Sequence, residues 1–176
     1  MISTKYREVG IEVVALDDAG WLDLTIDGAD EVDGAFRLIK GGGGALLREK
    51  IVAAASDRMV VIADEGKRVG TLGAFPLPVE VIPFGWRTTQ AIVERELGGM
   101  EVWGRSSALR MVGERPFVTD QGNHILDLAL GRIGDPEALA AVLNAVPGVV
   151  ENGLFLGMCK ALVVGREDGT AEVVEA

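Results

Sequence analysis

Between positions 27 and 49 the chain places two aspartates, a lysine, four consecutive glycines and a glutamate: Asp27 and Asp30 in DGADEVDG, Lys40 in LIKGGGG, and Glu49 in ALLREK. An ionised carboxylate only accepts hydrogen bonds, so Asp27 and Asp30 suit the hydroxyls of a sugar. They follow the alternating run LDLTID, and in open α/β sheets ligands bind beyond the carboxyl ends of the strands. Aspartate also favours turns in its own right, and for these two alone that reading is equally good. Each glycine of Gly41–Gly44 would cost about 0.5–1 kcal/mol relative to alanine inside a helix or strand. Four together fit a backbone that approaches a ligand closely and turns N–H groups toward an anion where a helix begins. The alternative is a flexible connection. The spacing is neither G-x-G-x-x-G nor G-x-x-x-x-G-K-[ST], so no nucleotide site follows. Glu49 sits among Ala45, Leu46, Val52 and Ala53. Apolar surroundings raise a carboxyl pKa and suit it to proton transfer, although a lone helix glutamate more commonly faces solvent.

One reaction type uses all of these parts. Moving a proton between adjacent carbons of a sugar needs a base beside the carbon, a cation beside the developing enediolate oxygen, and acceptors that hold the open chain. Glu49, Lys40 with the glycine amides, and the aspartates would supply them without a metal.

Composition narrows the alternatives. The 176 residues, 48% hydrophobic and 25% charged, suit one ordinary domain or two small ones with a real core. A net charge of −10 argues against nucleic acid and anionic membranes as partners. MISTKYREVG has no apolar signal-peptide core, and no run approaches the roughly 18 apolar residues of a membrane span. The one cysteine, Cys159, reads as a small core residue, and the expected location is a reducing cytoplasm. The one histidine, His124, excludes a triad or zinc site built on several histidines and reads as structural. Acid–base chemistry therefore falls to carboxylates and lysines.

The positioning elements follow from periodicity. Residues 2–9 have helical potential, and GIEVVAL reads as a short strand. LDLTID reads as a strand that commits Leu22, Leu24 and Ile26 to the core. GADEVDG is a turn and FRLIK a second short strand. ALLREKIVAAASD is a helix with Leu47, Ile51, Ala54 and Ala55 along its apolar side. RMVVIAD has the continuous apolar character of a buried parallel strand. Strands separated by a helix imply a βαβ unit and an α/β fold. Pro76, Pro78 and Pro83 mark a connection. Beyond it come a strand in VEVIPF, a helix in RTTQAIVERELGG, short strands in MEVWGRS and ALRMV, and a hairpin of two runs around DQGN. A helix capped by Asp135 with Pro136 at its first position follows, then a strand in VVENGLF. That order resembles a split βαβ, ferredoxin-like arrangement with an extra strand. The tail reads as a hairpin around EDG that returns to the first unit. The expected division is a Rossmann-like parallel-sheet domain over 1–76 plus 156–176, and a smaller α+β domain over 77–155. Trp21, Trp86 and Trp103 read as packing or interface residues; Arg105 and Arg110 could reach a subunit interface, which the sequence leaves open.

DGADEVDG, LIKGGGGALLREKIVA, VVIADEGK, FPLPVEVIPF, VTDQGNHILD and AVPGVVENGLF, in that order through essentially the whole chain, closely resemble ribose-5-phosphate isomerase, type A. The resemblance implies a cofactor-free aldose–ketose isomerase that interconverts D-ribose 5-phosphate and D-ribulose 5-phosphate through an enediolate. It puts the catalytic glutamate on Glu49, the substrate loop on Asp27, Gly28, Ala29 and Asp30, and the glycine loop on Lys40, Gly41, Gly42 and Gly43. A further substrate-binding lysine falls on Lys67, where Gly66 replaces the usual serine. It also implies a homodimer or homotetramer with a small sugar phosphate as its ligand. The family carries a preceding segment with a GTGST-like phosphate loop that has no counterpart in these residues. The expectation is a chain lacking part of the phosphate grip and at least one sheet strand, with an exposed edge or apolar surface. Three outcomes are set against each other: an active isomerase; a truncated, non-catalytic sugar-phosphate-binding or interaction protein on the same scaffold; or a truncated product of a normal enzyme gene with no role of its own.

Overall fold

The computed structural model describes residues 8–176, so the helical reading of residues 2–9 lies almost wholly outside the described residues. In chain order the first elements are α1 (Leu16–Ala19), β1 (Thr25–Gly28), β2 (Glu31–Val32), β3 (Leu38–Ile39), α2 (Leu46–Ala54), β4 (Met59–Asp64) and β5 (Leu77–Val81). There follow α3 (Trp86–Glu96), β6 (Ser106–Leu109), β7 (Met111–Val112), β8 (Arg115–Pro116), β9 (His124–Ala129) and α4 (Pro136–Asn144). The last are β10 (Val149–Asn152), β11 (Leu154–Phe155), β12 (Cys159–Gly165) and β13 (Ala171–Glu175).

One sheet has the order β1-β4-β12-β13. Its first three strands are parallel, and β13 returns antiparallel to β12 through the turn the sequence marks with EDG. Met59, Val61, Leu162 and Val164 of this sheet pack against Val32, Leu38 and Phe155. Cys159 joins the same cluster, and its burial pushes the thiol pKa up.

That packing reverses one expectation. Thr25 of β1 is buried, whereas Leu24 and Ile26 are 46% and 59% exposed. Alternation reveals that a strand has two faces. Which face is covered depends on Val32, Leu38 and Phe155, and these distant residues pack beneath the Thr25 side. The helix is misread in the same way: α2 buries Leu46 and Ala53, while Ile51 is exposed. GIEVVAL forms no strand, since residues 11–15 join no ladder and α1 begins at Leu16. GADEVDG is not merely a turn, because it contains β2.

A second sheet has the order β10-β5-β9-β6, antiparallel throughout. Its elements run strand, helix, strand, strand, helix, strand, with the β7–β8 hairpin inserted before β9. Val79, Val81, Leu126 and Leu128 form its core with Val93 and Leu97 of the α3 segment and Leu139 and Leu143 of α4. Asp135 caps α4 as its sequence position predicts, accepting from Ala138 N at 2.9 Å. Only the second run around DQGN is a strand; Phe117–Thr119 form none. MEVW contributes only an isolated bridge between Val102 and Ile133.

A third sheet, β11-β3-β2, links these parts by pairing Leu154 with Ile39 and Phe155 with Leu38. It positions the site described next. Among the described residues no helix is long and apolar enough to cross a membrane.

Candidate active site

The β2–β3 register places the first charged groups. Glu31 pairs with Ile39, so Asp30 and Lys40 flank the end of the hairpin. Asp30 N donates to Ile39 O at 2.8 Å, and Lys40 N donates to Gly153 O at 2.9 Å. Parallel pairing of β1 with β4 brings Asp27 to the same edge. The Lys40 side chain is buried. Its Nζ donates to Gly28 O at 2.6 Å, pairs with Asp27 Oδ2 at 2.9 Å, and stands 3.2 Å from Glu49 Oε2. The ammonium also lies 5.4 Å from the centre of the Phe155 ring. A buried cation needs compensating charge, and two carboxylates and a carbonyl provide it.

The glycines form a tight turn rather than a loose connection. Gly44 N donates to Gly41 O at 2.9 Å, and Gly42 N donates to Asp30 Oδ2 at 2.8 Å. Gly41 and Gly44 have φ of 106° and 85°, a region that side chains rarely enter. A Cβ on Gly42 would stand 2.6 Å from Asp30 Oδ1, and one on Gly44 would meet the Phe117 ring. Helix α2 starts directly after this turn and carries Glu49 within its first turn.

Glu49 has its pKa raised. Burial is the main cause; Lys40 opposes it, and the charges of Asp27 and Asp30 reinforce it. Although Lys40 stands close, Glu49 Oε2 has no hydrogen-bond partner in the protein. The lysine contact is an ion pair off the hydrogen-bonding line, so lone-pair capacity remains on that oxygen.

These groups line a cleft of about 190 Å³, formed by Asp27–Asp30, Lys40–Gly43 and Glu49. Nine of the ten residues singled out from the sequence therefore converge. The tenth, Lys67, does not line the cleft. It lies on the turn Glu65–Lys67 that follows β4, beyond the neighbouring strand. A larger hollow of about 760 Å³ lies between Ile62–Gly66 and Gly165–Glu167, and no lysine lines it. In the smaller cleft the raised carboxyl meets the buried ammonium. Among the described residues no group of three or more His, Cys, Asp or Glu side chains is arranged to hold a metal ion.

Sequence reasoning missed the residues that support the glycine turn from the second sheet. Arg110, whose place the sequence left open, has its guanidinium donating to Gly41 O at 2.9 Å and Gly42 O at 3.1 Å. Asp127 holds it, accepting from Nε at 2.9 Å. Phe117 stacks over Gly44. These contacts span tens of positions in the chain, and no local pattern announces them. Trp86 packs on the second core as expected, whereas Trp21 and Trp103 are exposed. His124 opens β9, with Nδ1 3.3 Å from Phe117 O, a structural position.

Fold and cleft together define an α/β protein with a carboxylate–lysine–glycine site at the carboxyl edge of a parallel sheet. The chain belongs to the family described as Ribose 5-phosphate isomerase A (phosphoriboisomerase A), whose sequence model matches residues 2–169. It is 69% identical over 167 residues to the Ribose-5-phosphate isomerase A of Ruegeria sp. strain TM1040, which covers 95% of this chain and 64% of that relative. The chain thus spans somewhat less than two thirds of that relative's length. A solved ribose 5-phosphate isomerase from Plasmodium falciparum superposes with a TM-score of 0.89 at 33% identity, covering 99% of this chain and 74% of the other. A D-ribose-5-phosphate isomerase solved in complex with phospho-erythronic acid gives a TM-score of 0.85 at 37% identity, covering 97% and 72%.

Proposed function

We propose that this chain is an aldose–ketose isomerase of the pentose phosphate pathway that interconverts D-ribose 5-phosphate and D-ribulose 5-phosphate. The observation that carries the reading is the raised carboxyl of Glu49 standing 3.2 Å from the buried Lys40 ammonium inside the cleft. The Glu49 carboxylate removes the C2 proton of the open-chain aldose. The C–H electrons form the C1–C2 double bond, and the carbonyl oxygen takes the negative charge. The Lys40 ammonium and the glycine-turn amides stabilise that charge. The O2 hydroxyl proton passes to O1, and returning the carbon-bound proton from Glu49 to C1 as O2 becomes the carbonyl completes the exchange without any redox partner. Asp27 and Asp30 keep lone pairs with which to accept the sugar hydroxyls.

The family membership and the phospho-erythronic acid ligand of one relative, a phosphorylated sugar acid, support this substrate class. Lys67 contributes a cation for the phosphate from the turn beyond β4. The two antiparallel and parallel sheets, each with its own core, support a Rossmann-like unit over 1–76 plus 156–176 and a smaller ferredoxin-like unit over 77–155. A homodimer or homotetramer in the cytoplasm accords with the family. An intact base, cation and glycine turn favour turnover over a purely binding role. A coupled assay with ribose 5-phosphate, run beside Glu49→Gln, tests the proposal: Glu49-dependent turnover supports it, and folded chain without turnover refutes it.

A further inference from the structure

We infer that Arg110, clamped by Asp127, is a positioning residue that sets the direction of the glycine-turn amides; the inference rests on the isomerase reading above. Arg110 lies just past β6 in the second sheet, and its N–H donates to Ile125 O at 2.8 Å, anchoring it to β9. The guanidinium divides its donors. Nη1 serves the carbonyls of Gly41 and Gly42, while Nε and Nη2 grip the two Asp127 oxygens. Planar guanidinium holds such a forked geometry, and a lysine does not.

The consequence follows from peptide planarity. In a trans peptide the C=O and the next N–H point in opposite directions. Drawing Gly41 O toward Arg110 turns Gly42 N–H the other way, where it donates to Asp30 Oδ2 at 2.8 Å. Drawing Gly42 O the same way turns Gly43 N–H away from Arg110, and Gly43 lines the cleft. Four glycines have no side chains to fix their peptide orientations. Arg110 supplies that restraint from outside, and the Phe117 ring over Gly44 closes the turn from the same side. Arg110 thereby presents an amide to the enediolate oxygen without touching the substrate.

Three variants, Arg110→Ala, Arg110→Lys and Asp127→Asn, test this with steady-state kinetics on ribose 5-phosphate and amide NMR of Gly42 and Gly43. Misplacing a stabilising donor by about 1 Å costs on the order of a hundredfold in rate. Arg110→Ala is expected to lower kcat by roughly tenfold to a hundredfold, with a smaller change in KM. Arg110→Lys is expected to recover only part, and added guanidinium to restore Arg110→Ala. The Gly42 and Gly43 amide resonances move in Arg110→Ala while those of β4 and β12 stay. Unchanged kcat in folded Arg110→Ala, or unmoved glycine resonances, overturns the inference. Should Arg110→Ala fail to fold, Asp127→Asn decides by the same two readouts. If wild-type chain shows no turnover, the isomerase reading fails, and the resonances alone still decide whether Arg110 orients the turn.

Discussion

Glu49 Oε2 and Lys40 Nζ stand 3.2 Å apart, and the carboxyl oxygen in that contact has no hydrogen-bond partner in the protein. The lysine is meanwhile held by Asp27 and the Gly28 carbonyl, which engage two of its three donors and leave the third directed at the cleft's carboxylate side. One group of the pair is thus held and the other is left able to take up a proton, the division of labour that the proposed enediolate reaction needs.

Glu49→Gln removes the proposed base and keeps the shape. A positioned general base contributes about 10²–10⁴-fold, so isomerisation by this variant is expected to fall by at least about a hundredfold in a coupled assay. Circular dichroism and gel filtration are expected to match wild type.

The same substitution has a pH signature in stability. Burial holds the Glu49 pKa above the ordinary carboxylate value in the folded chain. Folding therefore favours the protonated form, and this contribution is full below the unfolded pKa and lost as pH rises through the folded pKa. Glu49→Gln is expected to be at least as stable as wild type at neutral pH. Thermal melts from pH 4 to 8 are expected to show this advantage shrinking toward the acid end.

Activity follows the opposite limb. The base works ionised, so kcat/KM is expected to rise with pH through a Glu49 pKa above the usual carboxylate range. Asp27 helps hold that value up. In Asp27→Asn the acid limb moves to lower pH, whatever the loss in absolute rate. A limb that moves upward in this variant would contradict the electrostatic account.

Lys40→Met leaves two carboxylates without their cation. Losing one partner of a fully buried pair costs about 3–5 kcal/mol. Asp27 and Glu49 are 30% and 28% exposed, so water screens part of the loss. Chemical denaturation is expected to show a destabilisation of about 2 kcal/mol. Removing the lysine also removes the influence that lowers the Glu49 pKa, so the carboxyl is expected to titrate at still higher pH.

The glycines are not equivalent. Gly44→Ala meets both a positive φ and the Phe117 ring and is expected to cost roughly 2–3 kcal/mol. A Cβ on Gly43 meets nothing within 4 Å, so Gly43→Ala is expected to stay within about 0.5 kcal/mol of wild type. Equal losses from the two would mean that the turn is not held as described.

Asp27, Asp30, Lys40, the glycines and Glu49 were legible in the sequence because they are close in the chain and chemically unusual for their local elements. Helix α4 was legible through Asp135 and Pro136, and β4 through its unbroken apolar run. The buried faces of β1 and α2 were not, because Leu24, Ile26 and Ile51 are apolar yet exposed: β1 is covered from the side of Val32, Leu38 and Phe155, and α2 packs toward β10 and β5. Nor was the Arg110–Asp127 support, since one guanidinium joining β9 to a turn far earlier in the chain leaves no periodic trace.

The central claim is that Glu49 moves the proton between C2 and C1, and solvent deuterium exchange tests it most directly. Ribose 5-phosphate incubated with the 176-residue chain in D2O and followed by NMR is expected to gain deuterium at C2, and Glu49→Gln is expected to lose that exchange. Exchange that persists in Glu49→Gln, or its absence with the folded wild-type chain, would contradict the account.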